Sequence, residues 1–176
     1  NKSIIFTFQM EKPVQITFTG DFTCKLDDKG RVLLPAAFIK QMALCMQERF
    51  VLKKDIFDPC LVLYPMVEWE QQNELLRQNT SSYNREHKQF LRGFFKGTAE
   101  VVLDANNRLL LPKRLLDEIG AEKEIVLAGN LGVIEIWTKA EYENIEGGGE
   151  NIAFLAEKIM GNLNNDGGAP KNTSGE

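Results

Sequence analysis

The chain has 176 residues, of which 43% are hydrophobic and 26% charged, and its formal net charge is −4. This length can bury a sizeable core, and no apolar run approaches the roughly 18 residues that a membrane-spanning helix needs. The composition therefore excludes a disulfide-stapled miniprotein and a membrane protein, and it predicts a globular protein of the cytoplasm.

Residues 1–16 are expected to form an N-terminal extension to which the sequence assigns no role. Residues 4–8 are apolar, but this run is shorter than the roughly 7 to 15 residues of a signal-peptide core, and no small-residue cleavage site follows it. Secretion is therefore not expected, and Met10 is a candidate first residue of the protein.

A strand and a tight turn open the patterned part of the chain. Apolar side chains alternate along residues 17–26, which predicts a half-buried strand with one apolar face: Phe18, Phe22, Cys24 and Leu26. Residues 27–30 then form a predicted turn. Gly30 supplies the positive φ of a tight hairpin, and the carboxylate of Asp27 is expected to accept hydrogen bonds from turn amides.

The turn leads into a second strand, a helix and two further strands. Arg31 starts a short apolar strand, and the Leu-Pro pair at residues 34–35 marks the change from strand to helix. An amphipathic helix is expected next, with an apolar face formed by Phe38, Met42, Cys45 and Met46. Strands at residues 50–54 and 61–64 complete a ββαββ module.

The module occurs twice. Residues 26–35 recur as residues 103–112 with six of ten positions identical, and the later strands recur at residues 124–128 and 133–137. In the second copy Asp104 and Arg108 bound the turn, and Asn107 takes the place of the glycine because asparagine tolerates positive φ. The helix of this copy is shorter, with apolar residues Leu115, Leu116 and Ile119 ending at Gly120.

The predicted fold is α+β and mainly β, and it consists of six segments. These are an N-terminal extension (1–16), a first repeat (17–65), a helical connection (66–96) broken near residues 80–82, a second repeat (97–142), a C-terminal helix (143–163) and a disordered tail (164–176). One module alone would expose strand edges, so the two copies are expected to interleave their hairpins into one small barrel. Edges that remain open would drive symmetric self-association.

The sequence gives no sign of a metal site, a cofactor site or a catalytic site. Its three cysteines, Cys24, Cys45 and Cys60, contain no CxxC pair, and His87 is the one histidine. We expect reduced thiols that fill apolar space and a solvated His87. An enzyme that holds a divalent cation with Asp27, Asp28 and Asp104 is the weakest alternative, because no acid–base partner, nucleophile motif or phosphate-binding loop accompanies them.

Charge is segregated along the chain. Residues 115–176 carry 4 basic and 12 acidic residues, whereas residues 1–114 carry 17 basic and 13 acidic ones. A basic face for a polyanion is therefore permitted on an acidic protein. A hairpin that projects Lys29 and Arg31 can enter the major groove, where arginine binds guanine through two hydrogen bonds. The alternative is that Asp27 simply pairs with Arg31 across the turn.

The motifs resemble the MraZ family of bacterial transcriptional regulators. They are Phe-Thr-Gly at residues 18–20, Leu-Asp-Asp-Lys-Gly-Arg at 26–31, Leu-Pro at 34–35, the strand at 59–65 with Glu68 and Trp69, and the second Asp-x-x-x-Arg at 104–108. The resemblance covers residues 18–142. It implies an AbrB-type swapped-hairpin barrel, a homo-oligomeric ring and cytoplasmic, nucleoid-associated localisation. It also implies binding to short repeats in promoter DNA upstream of the division and cell-wall gene cluster.

Carried over by position, the resemblance implies that Arg31 and Arg108 contact DNA, with Lys29 beside the first arginine. The second turn departs from the family pattern, since Asn107 replaces the usual glycine and no lysine is present. Lys25, Lys113 and Arg114 are further candidate phosphate contacts, with solvated surface as the alternative. A ring that binds proteins and not DNA, with purely structural turns, is the competing function.

Overall fold

Each copy of the module folds as two strands, a helix and two more strands. The computed structural model describes residues 15–43, 48–145 and 152–161. The first copy contains β1 (Asp21–Lys25), β2 (Arg31–Leu33), α1 (Ala36–Met42), β3 (Arg49–Lys54) and β4 (Leu61–Pro65). Two helices follow, α2 (Met66–Asn79) and α3 (Arg85–Phe95). The second copy contains β5 (Ala99–Val102), β6 (Arg108–Leu110), α4 (Lys113–Glu118), β7 (Glu124–Asn130) and β8 (Val133–Thr138).

Two helices lie after the second copy, α5 (Lys139–Asn144) and α6 (Ile152–Gly161). The chain divides into two units, Asn1–Tyr142 and Glu143–Glu176. The predicted disordered tail lies outside the described residues, as do Cys45 and Met46 of the predicted helix face. None of the helices in the described ranges is long and apolar enough to cross a membrane.

The two copies interleave, as the sequence predicts. The larger sheet has the order β1-β7-β8-β4-β3-β5, so β1 of the first copy pairs with β7 of the second, and β5 of the second pairs with β3 of the first. The short strands β2 and β6 pair with each other in a separate two-stranded sheet. The prediction of an α+β, mainly β fold of duplicated modules with connecting helices is therefore confirmed.

The hydrogen-bonded sheets do not close into a continuous barrel. β1 and β5 are the two edges of the six-stranded sheet, and single bridges, Leu26 with Val32 and Leu103 with Leu109, connect it to the β2–β6 pair. Pro35 and Pro112 begin the following helices only two residues after each short strand, and proline offers no backbone donor for a longer ladder. β2 and β6 are thus short strands that form a ladder with each other and make one bridge each to Leu26 and Leu103.

The larger of two hydrophobic clusters draws on both sheets and on both copies. Val32 and Leu109 reach it from the two-stranded sheet, and Phe38 reaches it from α1. The Phe38 ring meets Phe18 and Phe22 edge to face, with ring centroids 5.4 and 5.1 Å apart. The first predicted strand is shorter than expected, because Gly20 adopts a φ of 109° and separates buried Phe18 from β1.

The helices α2 and α3 cover the outside of β3 and β4 through aromatic side chains. Trp69 of α2 contacts Tyr64 edge to face and stacks on Phe94 of α3 at 6.0 Å between ring centroids. Lys53 is 2% exposed beneath them, and its Nζ lies 4.3 Å from the centroid of the Phe94 ring and donates to the carbonyl oxygen of Lys54. Burial lowers the pKa of Lys53, although Asp55 nearby opposes this effect.

The close approach of Gly129 to the segment before β1 gives a test of the interleaved sheet. A Cβ at Gly129 would lie 2.6 Å from the backbone carbon and oxygen of Phe18, so Gly129→Ala must push the two strands apart. We expect this change to lower the free energy of unfolding by about 1–3 kcal/mol, as overpacking does. Denaturant titration measures the loss.

The matched control is Gly93→Ala in α3, where no atom outside the local helix backbone lies within 4 Å of the added Cβ. Alanine is the better helix former there, and stability is expected to rise by about 0.5–1 kcal/mol. Equal stabilities of the two variants would contradict the register between residue 18 and β7.

Candidate nucleic-acid interface

The pairing of β2 with β6, which we call the ribbon, brings both predicted arginines together. Its register places Arg31 opposite Leu110, Val32 opposite Leu109 and Leu33 opposite Arg108. Two backbone hydrogen bonds extend the ladder into the turns. The N–H of Leu34 donates to the carbonyl oxygen of Asn107, and the N–H of Leu111 donates to that of Gly30. The chain thus locks each hairpin to the start of the other copy's helix.

The two arginines lie on one face of the ribbon. Side chains alternate along a strand, so Val32 and Leu109, which are buried, define the inner face, and the residues on either side of them define the outer face. That outer face carries Arg31, Leu33, Arg108 and Leu110. Diagonal neighbours of this kind lie about 7–8 Å apart, so the two guanidinium groups can reach a common ligand.

The first turn, residues 27–30, is organised by Asp27. Its Oδ1 accepts hydrogen bonds from the backbone N–H groups of Lys29 and Arg31, each at 2.9 Å, and its carbonyl oxygen accepts from Gly30. Gly30 has a φ of 80°, in the left-handed region that favours glycine. The turn therefore has a fixed shape, and Lys29 is exposed on it.

The second turn, residues 104–107, repeats this geometry with different residues. The Oδ1 of Asp104 accepts from the N–H groups of Asn106 and Arg108 at 2.8 and 2.9 Å, and Asn107 adopts a φ of 58°. Asparagine thus supplies the backbone conformation that glycine supplies in the first turn. The two turns differ in charge, because the second contains no lysine.

The two arginines differ in their partners. The Nε of Arg31 donates to Oδ2 of Asp27 at 2.6 Å, and the two side chains stay 36% exposed. Arg108 makes no ion pair with any carboxylate among residues that the structure describes. The cross-turn pair considered from the sequence is thus present in the first copy. It uses only one of the five N–H donors of the guanidinium, and the other four remain for a ligand.

The remaining candidate cations lie outside the strands β2 and β6. Lys25 lies in the six-stranded sheet opposite Glu124 of β7. Arg114 donates from its guanidinium to the backbone oxygens of Gly97 and Thr98, at 2.8 and 3.3 Å, so it fastens α4 to the segment before β5. Lys113 lines an open groove beside the first turn, together with Asp28 and Glu122.

Two exposed leucines on the outer face were not identified from the sequence as site residues. Leu33 and Leu110 are 59% and 56% exposed and follow the buried residues of the ribbon by one position. The sequence presents residues 32–34 and 109–111 as continuous apolar runs, in which no residue stands out. Only the pairing of β2 with β6 shows which leucines face outward.

Cys24, Cys60 and His87 lie among the described residues, whereas Cys45 does not. Cys60 is buried and Cys24 is half-buried, and burial raises the pKa of both thiols. His87 is half-buried, and its Nδ1 accepts a hydrogen bond from the N–H of Ser81, so it stabilises the bend between α2 and α3 and is not simply solvated. No group of metal-binding side chains occurs within the described ranges.

The hydrogen bonds of Asp27 make the stability of the first turn depend on pH. Backbone and side-chain donation from Arg31 holds the pKa of Asp27 below its ordinary value of 3.8, against the effect of desolvation. A carboxylate with a lowered pKa stabilises the fold above its unfolded pKa and loses this effect as the pH falls through the folded one. The Asp27→Ala variant should therefore be less stable than the unsubstituted chain by a constant amount at neutral pH, and the difference should shrink below pH 3.8.

Denaturant titration at several pH values measures this difference. Asp28→Ala, at the neighbouring exposed position of the turn, is the control and should change the free energy of unfolding by no more than about 0.5 kcal/mol. A difference between the Asp27→Ala variant and the unsubstituted chain that grew on acidification would contradict the role of the ionised carboxylate.

Two interleaved ββαββ copies, each carrying an Asp-x-x-x-Arg turn that ends on a shared ribbon, define a duplicated protein of the AbrB-like swapped-hairpin class. The family described as "MraZ protein, putative antitoxin-like" matches residues 17–93 and 94–155, so each match contains one copy of the module. The chain belongs to the MraZ family.

Curated relatives agree over nearly their whole length. The chain is 42% identical over 155 residues to Transcriptional regulator MraZ of Christiangramia forsetii, covering 86% of this chain and 98% of the relative. It is 41% identical over 154 residues to the protein of the same name from Flavobacterium psychrophilum, covering 85% and 96%, and 32% identical over 142 residues to that of Clostridium tetani, covering 81% and 96%. These names indicate regulation of transcription and not enzymatic catalysis.

Proposed function

We propose that this chain is a transcriptional regulator that binds double-stranded promoter DNA through the outer face of the ribbon. The observation that carries the proposal is the register of β2 against β6, which puts Arg31 and Arg108 on one exposed face. A two-stranded antiparallel ribbon fits the major groove of B-DNA. The relatives named Transcriptional regulator MraZ support the same class of function.

Within this proposal the two arginines read bases. Each guanidinium can donate two hydrogen bonds to O6 and N7 of a guanine, and such a contact is worth about 1–3 kcal/mol of discrimination. Asp27 holds Arg31 by its Nε and leaves the terminal nitrogens for the base. Asp27, Gly30, Asp104 and Asn107 thus act as positioning residues for the two turns.

Lysines supply the contacts that do not depend on sequence. Lys29 is exposed on the first turn, next to the outer face, and we propose that it binds a phosphate. The second turn has no such lysine, so the two halves of the ribbon bind the backbone unequally. Lys25 lies in the other sheet, and its role as a phosphate contact depends on DNA that extends beyond the ribbon.

One ribbon offers few contacts to DNA, and we propose that self-association of the chain raises the affinity by presenting several ribbons together. Specific protein–DNA complexes combine several base and phosphate contacts, more than one ribbon with three cations provides. A homo-oligomeric ring would present ribbons at fixed spacing, and linked binding to repeated promoter boxes can raise the affinity by roughly 10²–10⁴. The open edges of β1 and β5 are compatible with such self-association.

The resemblance supplies the genomic target of the proposal. We propose that this target consists of short repeats upstream of the division and cell-wall gene cluster, and that the protein is cytoplasmic and nucleoid-associated. We propose the six segments predicted from the sequence as the domain organisation of the chain. The two repeats form the DNA-binding part, and the N-terminal extension and the tail lie outside this part.

An electrophoretic titration tests this function. The probe is the promoter region upstream of the chain's own gene cluster, and the control is the same duplex with scrambled repeats, both at two salt concentrations. We expect preferential retardation of the repeat-containing probe. The affinity should fall as salt rises, because the protein displaces cations that are condensed on the DNA and added salt opposes their release. Equal retardation of both probes would remove the sequence specificity, and absence of salt-dependent binding would favour the protein-binding ring.

A further inference from the structure

The outer face of the ribbon carries two exposed leucines that are not part of the hydrophobic core. Leu33 and Leu110 are more than half exposed, whereas the core is filled from the same strands by Val32 and Leu109. The solvent-facing side of an antiparallel pair is ordinarily polar. The two leucines occupy equivalent positions in the two copies, so the same departure from this rule occurs twice.

Each leucine lies directly across the ribbon from an arginine. Leu110 faces Arg31, and Leu33 faces Arg108. The backbone bonds at Leu34 and Leu111 fix these as non-hydrogen-bonded pairs, because bonded and non-bonded pairs alternate along an antiparallel ladder. Side chains are closest at such pairs, with Cβ atoms about 4.5–5.5 Å apart.

A second copy of the chain is a poor partner for this face. Two ribbons packed face to face would obey two-fold symmetry and would bring two copies each of Arg31 and Arg108 together. Buried like charges are strongly unfavourable. A partner that suits both residue types must be anionic and must also present small apolar groups at a spacing of a few ångströms.

The major-groove edge of DNA has this chemistry. Guanine presents two acceptors for arginine, and the C5-methyl group of thymine is the one apolar group on the floor of the groove. Successive base pairs are about 3.4 Å apart along the helix, so the Cβ separation of about 4.5–5.5 Å between an arginine and the leucine opposite it corresponds to one to two base-pair steps. A guanidinium on a guanine therefore places the neighbouring leucine over an adjacent base pair.

We propose that Leu33 and Leu110 are specificity-determining residues that contact thymine methyl groups next to the guanines bound by Arg108 and Arg31. The inference rests on the proposed function and deepens it, since it names the composition of the site. Each half of the ribbon selects a guanine beside a thymine. The near symmetry about the Val32–Leu109 pair repeats this selection in the opposite direction.

Deoxyuridine tests the contact, because it differs from thymine in a duplex only by the missing methyl group. A high-affinity duplex is first enriched from a random-sequence library with the full chain, and each thymine is then replaced singly. We expect about a fourfold loss of affinity at the contacted positions, the value of one buried methyl group, and no change elsewhere.

Leucine variants then assign the positions. Leu33→Ala should bind thymine and deoxyuridine equally at one contacted position, and Leu110→Ala at the other. Leu75→Ala is the matched control, since Leu75 is 54% exposed on α2, outside the ribbon, and this variant should keep the full discrimination. All three substitutions are at exposed positions, and thermal unfolding verifies that each variant is folded.

The outcomes separate this inference from the proposed function. Specific binding with equal affinity for thymine and deoxyuridine at every position would overturn the leucine contacts and leave the arginine contacts in place. Absence of salt-dependent duplex binding would overturn the proposed function and the inference with it. Loss of assembly size in Leu33→Ala and Leu110→Ala by light scattering, with discrimination unchanged, would show that this face joins copies of the chain.

Discussion

Alanine at both Arg31 and Arg108 is expected to abolish sequence-specific DNA binding while the fold and the assembly size stay unchanged. The two side chains lie on the outer face of the ribbon and fill no part of the core. Two lost bidentate contacts amount to about 2–6 kcal/mol per ribbon, which is at least a roughly thirtyfold loss of affinity. The one ion pair removed, Arg31 with Asp27, is at the surface and adds little to stability.

The measurement is a titration of the repeat-containing promoter duplex, with light scattering for assembly size. Arg77→Ala is the matched control, because this arginine is exposed on α2 and pairs only loosely with Glu74 at 3.5 Å. The control should lower the affinity slightly or not at all. Unchanged preference for the repeats in the double variant would remove the ribbon from the mechanism.

Phe38→Ala should produce the largest loss of stability of any substitution considered. Phe38 is 0% exposed, and it joins α1 to the first hairpin through edge-to-face contacts with Phe18 and Phe22. Truncation of a buried phenylalanine costs about 3–5 kcal/mol, since it removes both the transfer free energy and the packing around it. In a chain of this size we expect the midpoint of thermal unfolding to fall by about 6–20 °C.

Denaturant titration followed by circular dichroism measures the loss. The same substitution at Phe57, which is 87% exposed between β3 and β4, is the control and should stay within about 0.5 kcal/mol of the unsubstituted chain. Similar losses at Phe38 and Phe57 would contradict the placement of α1 over the core.

Local features of this chain can be predicted from the sequence because they depend on neighbouring residues. The turn at residues 27–30 follows from an aspartate, a glycine and the strand pattern around them. Gly120 follows the C-cap of α4 and adopts a φ of 69°, as a glycine after an apolar stripe indicates. The backbone N–H groups of Gly120 and Ala121 donate to the carbonyl oxygens of Asp117 and Leu116.

Pairing between distant segments could be predicted only in outline. Duplication indicates that the two copies must cover each other's strand edges, but no feature of residues 21–25 predicts that they pair with β7. The sequence also does not predict the interruption of the first strand at Gly20 or the helix α5. One glycine in an alternating segment and a short polar segment of six residues indicate these features only weakly.

The sequence predicts the two turns of the candidate site, but it does not predict which side chains lie on the outer face of the ribbon. The arginines follow from the repeated Asp-x-x-x-Arg motif, whereas the outward leucines depend on how β2 meets β6. Arg114 shows a further contact that the sequence does not reveal, because its guanidinium donates to the backbone carbonyls of Gly97 and Thr98. Side-chain hydrogen bonds to distant backbone atoms are not visible from the sequence.

The crossed pairing of the hairpins also governs the order in which this protein can form during synthesis. Asp21 of β1 pairs with Ala128 of β7, so the ribosome must add more than one hundred further residues before that partner exists. Until then the nascent first half has a strand with no neighbour and an arginine loop with no counterpart. We therefore expect a polypeptide released before β6 and β7 are made to expose unpaired strand edges and to lack the proposed DNA-binding ribbon.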